Sequence, residues 1–324
     1  MFGTLKNALA HYRDQGGLKM MKQWYKCGAL STAVIEFLLL GGSNKSLELL
    51  RLIVELKTQK KLSRQYTNIL KDIYEIDEDK LLHNESRCLW VFWWQGIENA
   101  PELVQKCYDS INRYFEGWQI TLITKENYSE FVSFPSFIIE KLNKGIITLT
   151  HFSDLLRLEL LIKYGGLWLD ATVLCTGNDI PQSIRNSELF VFQSQKPGAD
   201  GHATLMSSWL IYAKTNNRIL LATRELLYAY WEKNDMMMDY FLLHHFFTIA
   251  CCFYEDDYKR IPPFCNSVPH ILLLHLFDEY DETLWNDIKK QTCFHKLSYK
   301  LDNNKLKLRN TYYSEIIEKY ESVK

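Results

Sequence analysis

Two stretches carry residues whose types and spacing could do chemistry. In Leu167–Val173, LWLDATV, an apolar run ends on one carboxylate, Asp170, with Thr172 two residues on. Read as a strand, positions i and i+2 project to the same side. Carboxylate and hydroxyl oxygens are hard ligands that suit Mg2+ or Mn2+, ions that commonly hold phosphates. An aspartate at a strand end can equally fasten a turn, and both uses stay open. In Thr150–Gly166, THFSDLLRLELLIKYGG, His151, Asp154 and Arg157 recur every three residues and share one face of a leucine-rich helix. There Asp154 could accept hydrogen bonds from hydroxyls while Arg157 holds an anion or a sugar oxygen. A plain salt bridge accounts for the same spacing.

Three further places are weaker. Trp93, Trp94 and Gln95 end the run RCLWVFWWQG, where an aromatic base could stack on an indole, unless the rings are simply core. Asp239 stands in the apolar segment MMMDYFLLHHFF and needs a partner or a role, either orienting an acceptor hydroxyl or making a structural hydrogen bond. His244 and His245 are adjacent, point to different sides of a helix and do not make a joint metal site.

The elements that must position these residues follow from pattern. Arg87–Gly96 reads as a strand buried on both faces, followed by a helix with Asn99 as its cap and Pro101 in its first turn. Trp118–Thr124, LWLDATV and Glu188–Ser194 read as three more strands, with the helix at Thr150–Gly166 closed by glycines. Strands alternating with helices predict an α/β domain with a largely parallel sheet. Residues 1–85 read as a helical N-terminal region, including a helix at Ser46–Leu62 with a serine at its start, and residues 86–324 as the main domain. Beyond Gly201 the chain reads as mostly helical, ending in a strand or loop at QTCFHKLSYK and a polar tail.

Composition narrows the function classes. The 324 residues carry a formal net charge of −1, which does not steer the chain toward nucleic acid. The basic stretch Lys57–Arg64 is a solvated helix end, or a contact for an anionic membrane surface or an anionic acceptor. Eight cysteines without a CxxC pair form neither a zinc framework nor a disulfide scaffold, and reduced thiols in the cytoplasm are the simplest account. The first residues lack the pattern of a secretory signal. Cys27–Gly42, CGALSTAVIEFLLLGG, is shorter than the ~18–20 residues of a span and contains Glu36, so it reads as a buried or interfacial helix.

The block FSDLLRLELLIKYGGLWLDATV, with WVFWWQGIENAPELVQKCYDSI before it and HKLSYK after it, resembles the capsular polysaccharide synthesis glycosyltransferases. These belong with the wider DXD sugar transferases that include the yeast initiating α-1,6-mannosyltransferase and the catalytic domains of clostridial toxins. The resemblance runs from about Arg87 to Lys300 and rests on the joint spacing of Asp154, Arg157, Gly165, Gly166 and Asp170. It implies a GT-A-like, Rossmann-like fold, a UDP- or GDP-linked sugar donor and a divalent metal, Mn2+ or Mg2+. On it, Trp93, Gln95, Asp154, Arg157, Gly165, Gly166 and Asp170 become donor-site candidates. Lys296 and Lys300 would neutralise the diphosphate, Asp170 would hold the metal or the ribose, and Thr172 and His295 would be the further metal ligands. Asp170 and Asp239 are the catalytic candidates. One departure is plain: the second carboxylate of Asp-x-Asp is here Thr172.

The expected activity is transfer of a hexose or amino-hexose to a saccharide acceptor in capsule or surface-polysaccharide assembly, retaining by analogy. A lipid-linked acceptor would place the chain in the cytoplasm, peripherally at the inner membrane face. A nucleotide-sugar hydrolase and a non-catalytic nucleotide-sugar-binding scaffold are the alternatives.

Overall fold

The computed structural model describes residues 17–41, 43–74, 84–195 and 204–320. The N-terminal region is helical: α1 (Gly17–Cys27), α2 (Leu30–Leu40), α3 (Asn44–Tyr66) and α4 (Ile69–Tyr74). The serine that caps α3 is Ser43, whose hydroxyl accepts from the Ser46 amide at 3.1 Å, so this helix starts about half a turn before the expected Ser46. These helices lie on the main domain rather than apart from it. Ala33, Val54, Leu62, Tyr66 and Leu70 join the same core as Trp90 and Trp168 of the sheet. Tyr66 meets Phe246 edge to face at 5.3 Å.

The main domain continues with β1 (Cys88–Phe92), α5 (Glu102–Tyr114), β2 (Gln119–Ile123), α6 (Leu149–Tyr164), β3 (Gly166–Leu169), β4 (Val173–Cys175), β5 (Leu189–Gln193) and β6 (Met206–Ala213). It closes with α7 (Arg218–Lys233), α8 (Leu242–Phe253), α9 (Glu282–Gln291) and β7 (Phe294–Lys296). Five strands form one sheet in the order β2-β1-β3-β6-β5. The β1–β2 and β1–β3 pairs are parallel, whereas β3–β6 and β5–β6 are antiparallel. Alternation along β1 sends Trp90 to the core shared with α6, α7 and α8, and Leu89 and Val91 to the core under α5. Helices therefore cover both faces, as an α/β layer arrangement requires.

Two expectations change. The half of the sheet carrying β6 and β5 is antiparallel, and β6 itself lies where the sequence reads as helical. Its run MSSWLIYA has no clean alternation, because all but Ser207 and Ser208 are buried. LWLDATV is not one strand: β3 ends at Leu169, the chain turns through Asp170–Thr172, and β4 leaves to pair antiparallel with β7 in a separate ribbon. The break is anchored by the Asp170 amide, which donates to the Trp209 carbonyl at 2.8 Å.

Candidate functional site

A cleft of about 480 Å³ opens at the carboxyl ends of the parallel strands β1 and β3, the usual place for a ligand in an open α/β sheet. The turn after β1 supplies Trp93, Trp94 and Gln95, the turn after β3 supplies Asp170 and Thr172, and the first turns of α6 supply Ser153, Asp154 and Arg157. The segment leaving β7 contributes Lys296 through Lys300, and Ser208, Tyr240 and His244 complete the wall.

α6 is built to hold its polar stripe still. Thr148 caps it, accepting from the His151 amide, and Gly165 ends it at φ +67°. Asp154 and Arg157 are one turn apart and almost fully buried, which is costly for charges unless they are paired. They are paired densely. One Arg157 nitrogen, Nη2, lies 3.2 Å from Asp154 Oδ1 and 3.5 Å from Asp170 Oδ1. Arg157 also donates to the carbonyls of Ser153 and Ser208 and to the Ser153 hydroxyl, and its guanidinium lies over the Trp168 ring at 4.8 Å. It therefore clamps two carboxylates instead of waiting open for an anion.

The other Asp154 oxygen, Oδ2, meets His151 Nδ1 at 3.2 Å. An indole N–H can only donate, and Trp231 Nε1 points at His151 Nε2 from 2.8 Å. The neutral imidazole thus carries its proton on Nδ1 and donates it to Asp154. A chain of hydrogen bonds and ion pairs runs from Trp231 through His151 and Asp154 to Arg157 and Asp170.

Asp170 is held from three sides. Lys296 Nζ lies 3.1 Å from Oδ2, and the Trp168 indole donates to Oδ1 at 3.1 Å, beside Arg157. Burial works against its charge, but Lys296, Arg157 and the indole outweigh it and hold the carboxyl below the usual carboxylate range. The Lys296 ammonium also donates to the Thr172 hydroxyl. Trp93 meets Tyr299 edge to face at 5.5 Å across the cleft, and its indole N–H is buried without a protein partner. Gln95 and Lys300 are exposed on the rim.

Four expected site residues lie elsewhere. His295 alternates away from Lys296 on β7, is fully buried against the Trp285 ring at 5.1 Å, and bonds Thr176 through Nε2 at 3.0 Å. It lines no part of the cleft, and burial pushes its pKa down to about 3. Gly165 and Gly166 are packing residues. A Cβ on Gly166, whose φ is +96°, would sit 2.2 Å from the Cys88 carbonyl oxygen, and one on Gly165 3.0 Å from that of Ala213. These glycines let β3 lie close between β1 and β6. Asp239 precedes α8 rather than lying in a helix. Its carboxylate accepts from the Phe241 amide at 2.7 Å and faces His245 at 3.7 Å, while its neighbour Tyr240 reaches the cleft.

The residues as arranged do not fit a divalent ion held by the protein. Asp170 Oδ2 and Thr172 Oγ1, the oxygens an ion would need, both accept from one ammonium. Among the described residues no cluster of three or more His, Cys, Asp or Glu side chains could hold a metal.

Ser208 and Tyr299 are not legible as site residues in the sequence, where His244 reads only as a core or cleft residue. Ser208 acts through its carbonyl, a group every residue has, and Tyr299 and His244 enter only through tertiary placement. Burial lowers the His244 pKa to about 4, so a neutral imidazole faces the cleft.

Fold and site together define an α/β protein with a cleft lined by two carboxylates and three cationic side chains at the carboxyl ends of its parallel strands. The chain belongs to the capsular polysaccharide synthesis protein family, whose model matches residues 44–316. That match takes in α3 and α4 as well as the main domain, so it reaches beyond the span Arg87–Lys300 read from motifs. Over 162 residues the chain is 27% identical to the O-glycosyltransferase braB of Annulohypoxylon truncatum, covering 44% of this chain and 37% of that one. Over 100 residues it is 29% identical to the glycosyltransferase afumC of Aspergillus fumigatus, covering 28% and 26%. Each match thus spans well under half of the relative's length. Among solved structures, the PaToxG glycosyltransferase aligns with 65% of this chain and 83% of its own at 18% identity, with a TM-score of 0.36.

Proposed function

We propose that this chain is a glycosyltransferase that moves a hexose or amino-hexose from a UDP- or GDP-linked donor to a hydroxyl of a saccharide acceptor in surface-polysaccharide assembly. The observation that carries the reading is one cleft in which two clamped carboxylates face two lysines beneath an aromatic wall. Family membership and relatives named as glycosyltransferases support it. In this reading the adjoining rings of Trp93 and Tyr299 form one wall against which the base stacks. Lone pairs left on Asp154 accept sugar hydroxyls, and Lys296 and Lys300 face the diphosphate that must leave with negative charge. Retention of the anomeric configuration is part of the proposal by analogy.

The test is a panel of UDP- and GDP-sugars offered with and without oligosaccharide acceptors, with the products resolved by mass spectrometry. A new glycoside formed from one donor, in amounts that follow the acceptor, is expected. Release of free sugar at a rate no acceptor alters would point to a hydrolase instead, and binding without turnover to a scaffold.

The acceptor is proposed to be lipid-linked and met at a cytoplasmic membrane face. No described helix is long and apolar enough to cross a membrane. On α2, however, Val34, Ile35, Leu38 and Leu39 are each more than half exposed, and Lys60 of α3 is also exposed. Co-sedimentation with phosphatidylglycerol vesicles but not phosphatidylcholine vesicles is expected, and Leu38→Glu with Leu39→Glu should abolish it. No sedimentation with either vesicle would remove this part of the proposal.

A further inference from the structure

We infer that Lys296 takes the place of a divalent ion at this site, so that the chain binds its donor's diphosphate without metal. The inference rests on the donor-site reading above and specifies how that site grips phosphate. A lone carboxylate followed by Ala171 and Thr172 supplies one negative charge where an Asp-x-Asp site supplies two. Removing one charge from a metal site weakens its hold on a dication, but it suits a monovalent ammonium. Lys296 Nζ sits against both remaining oxygens, Asp170 Oδ2 at 3.1 Å and the Thr172 hydroxyl.

The geometry leaves the ammonium something to give. It has three N–H groups, and two are used by Asp170 and Thr172. The third is free to donate to a phosphate oxygen in the cleft that Lys296 lines. Lys300, four residues on and exposed on the same rim, adds a second cation for the other phosphate. Arg157 has less to give, because each of its three nitrogens already has an acceptor among Ser153, Ser208, Asp154 and Asp170 and the side chain is almost fully buried. An ion bridging Asp170 and a diphosphate would have to displace Lys296 and sit beside Arg157, and like-charge repulsion opposes both.

The experiment is calorimetric titration of the full chain with UDP and with GDP, in excess EDTA and then in Mn2+. One nucleotide is expected to bind in EDTA with an affinity that Mn2+ leaves unchanged. Lys296→Met is expected to abolish that binding while its thermal midpoint shows a folded protein. Binding seen only with Mn2+ overturns the inference and leaves the donor-site reading standing. Binding in EDTA that survives Lys296→Met overturns the role of Lys296. Failure of both nucleotides in both buffers overturns the donor-site reading, and the inference falls with it. The wild-type comparison alone decides the metal question, whatever the stability of the variant.

Discussion

Lys296 and Asp170 are 126 positions apart in sequence, yet the ammonium of one lies 3.1 Å from a carboxylate oxygen of the other. The pair joins the last strand of the fold to the turn that breaks its third. It also sets the charge of the cleft: Asp170 and Asp154 offset Lys296 and Arg157, and Lys300 on the rim leaves the lining one positive charge in excess before any ligand arrives.

Asp170→Asn keeps the shape of this pair and removes its charge. Lys296, partly buried, and Arg157, almost fully buried, are then left with less compensation, and the fold should lose about 1–2 kcal/mol, read from urea denaturation. Sugar transfer should fall by about 100-fold or more, since charge and position at the reacting centre change together. A variant with full activity would separate Asp170 from the chemistry.

Arg157→Lys retains the charge but not the fork. A lysine cannot reach Asp154, Asp170, Ser153 and Ser208 together, nor lie flat on Trp168. About 2–3 kcal/mol of stability should be lost, because charge-assisted hydrogen bonds disappear from a buried site. Donor affinity should fall with it, as Asp154 loses its fixed position. Unchanged calorimetric binding would contradict the clamp.

Gly166→Ala separates packing from binding. The added Cβ meets the Cys88 carbonyl oxygen in a backbone conformation that disfavours side chains. A loss on the order of 3–5 kcal/mol is expected from strain and overpacking combined. Whatever fraction remains folded should bind the donor with normal affinity. Weakened binding in the folded fraction would restore a donor-site role for the glycine.

Burial lowers the His295 pKa from 6.5 to about 3, so the unfolded chain binds this proton between those values and the native chain does not. Its contribution is therefore complete above pH 6.5 and lost as pH falls toward 3, by about 1.4 kcal/mol per pH unit. Denaturation curves at pH 7.5, 6 and 5 should show a slope that His295→Gln reduces by that amount. His244, lowered to about 4, adds a slope of the same sign. A variant with the wild-type slope would mean that His295 is not held neutral.

The outline of the site could be read from sequence wherever spacing is local. Asp154 and Arg157 share a helix face by periodicity, and Asp170 ends an apolar run whatever follows it. What periodicity cannot supply is pairing between distant strands. The β6 run is buried almost throughout and so shows no alternation, and in sequence it reads as helix. His295 and Lys296 are adjacent on β7, and only the register against β4 decides which of them enters the cleft. Gly165 and Gly166 mark the end of a helix in sequence, but the reason two glycines are needed lies in Cys88 and Ala213, on neighbouring strands.

That register has a consequence of its own. Val173 pairs with Lys296 and Leu174 with His295 in a ribbon of only three residues per strand. A slip of one position would turn every side chain of β7 over. It would bury an ammonium against Trp285 and present an imidazole to Asp170. The electrostatic sign of the cleft is therefore written in strand alignment as much as in residue identity. A single-residue insertion or deletion between α9 and β7 would alter the ligand chemistry while leaving every cleft residue in the sequence intact.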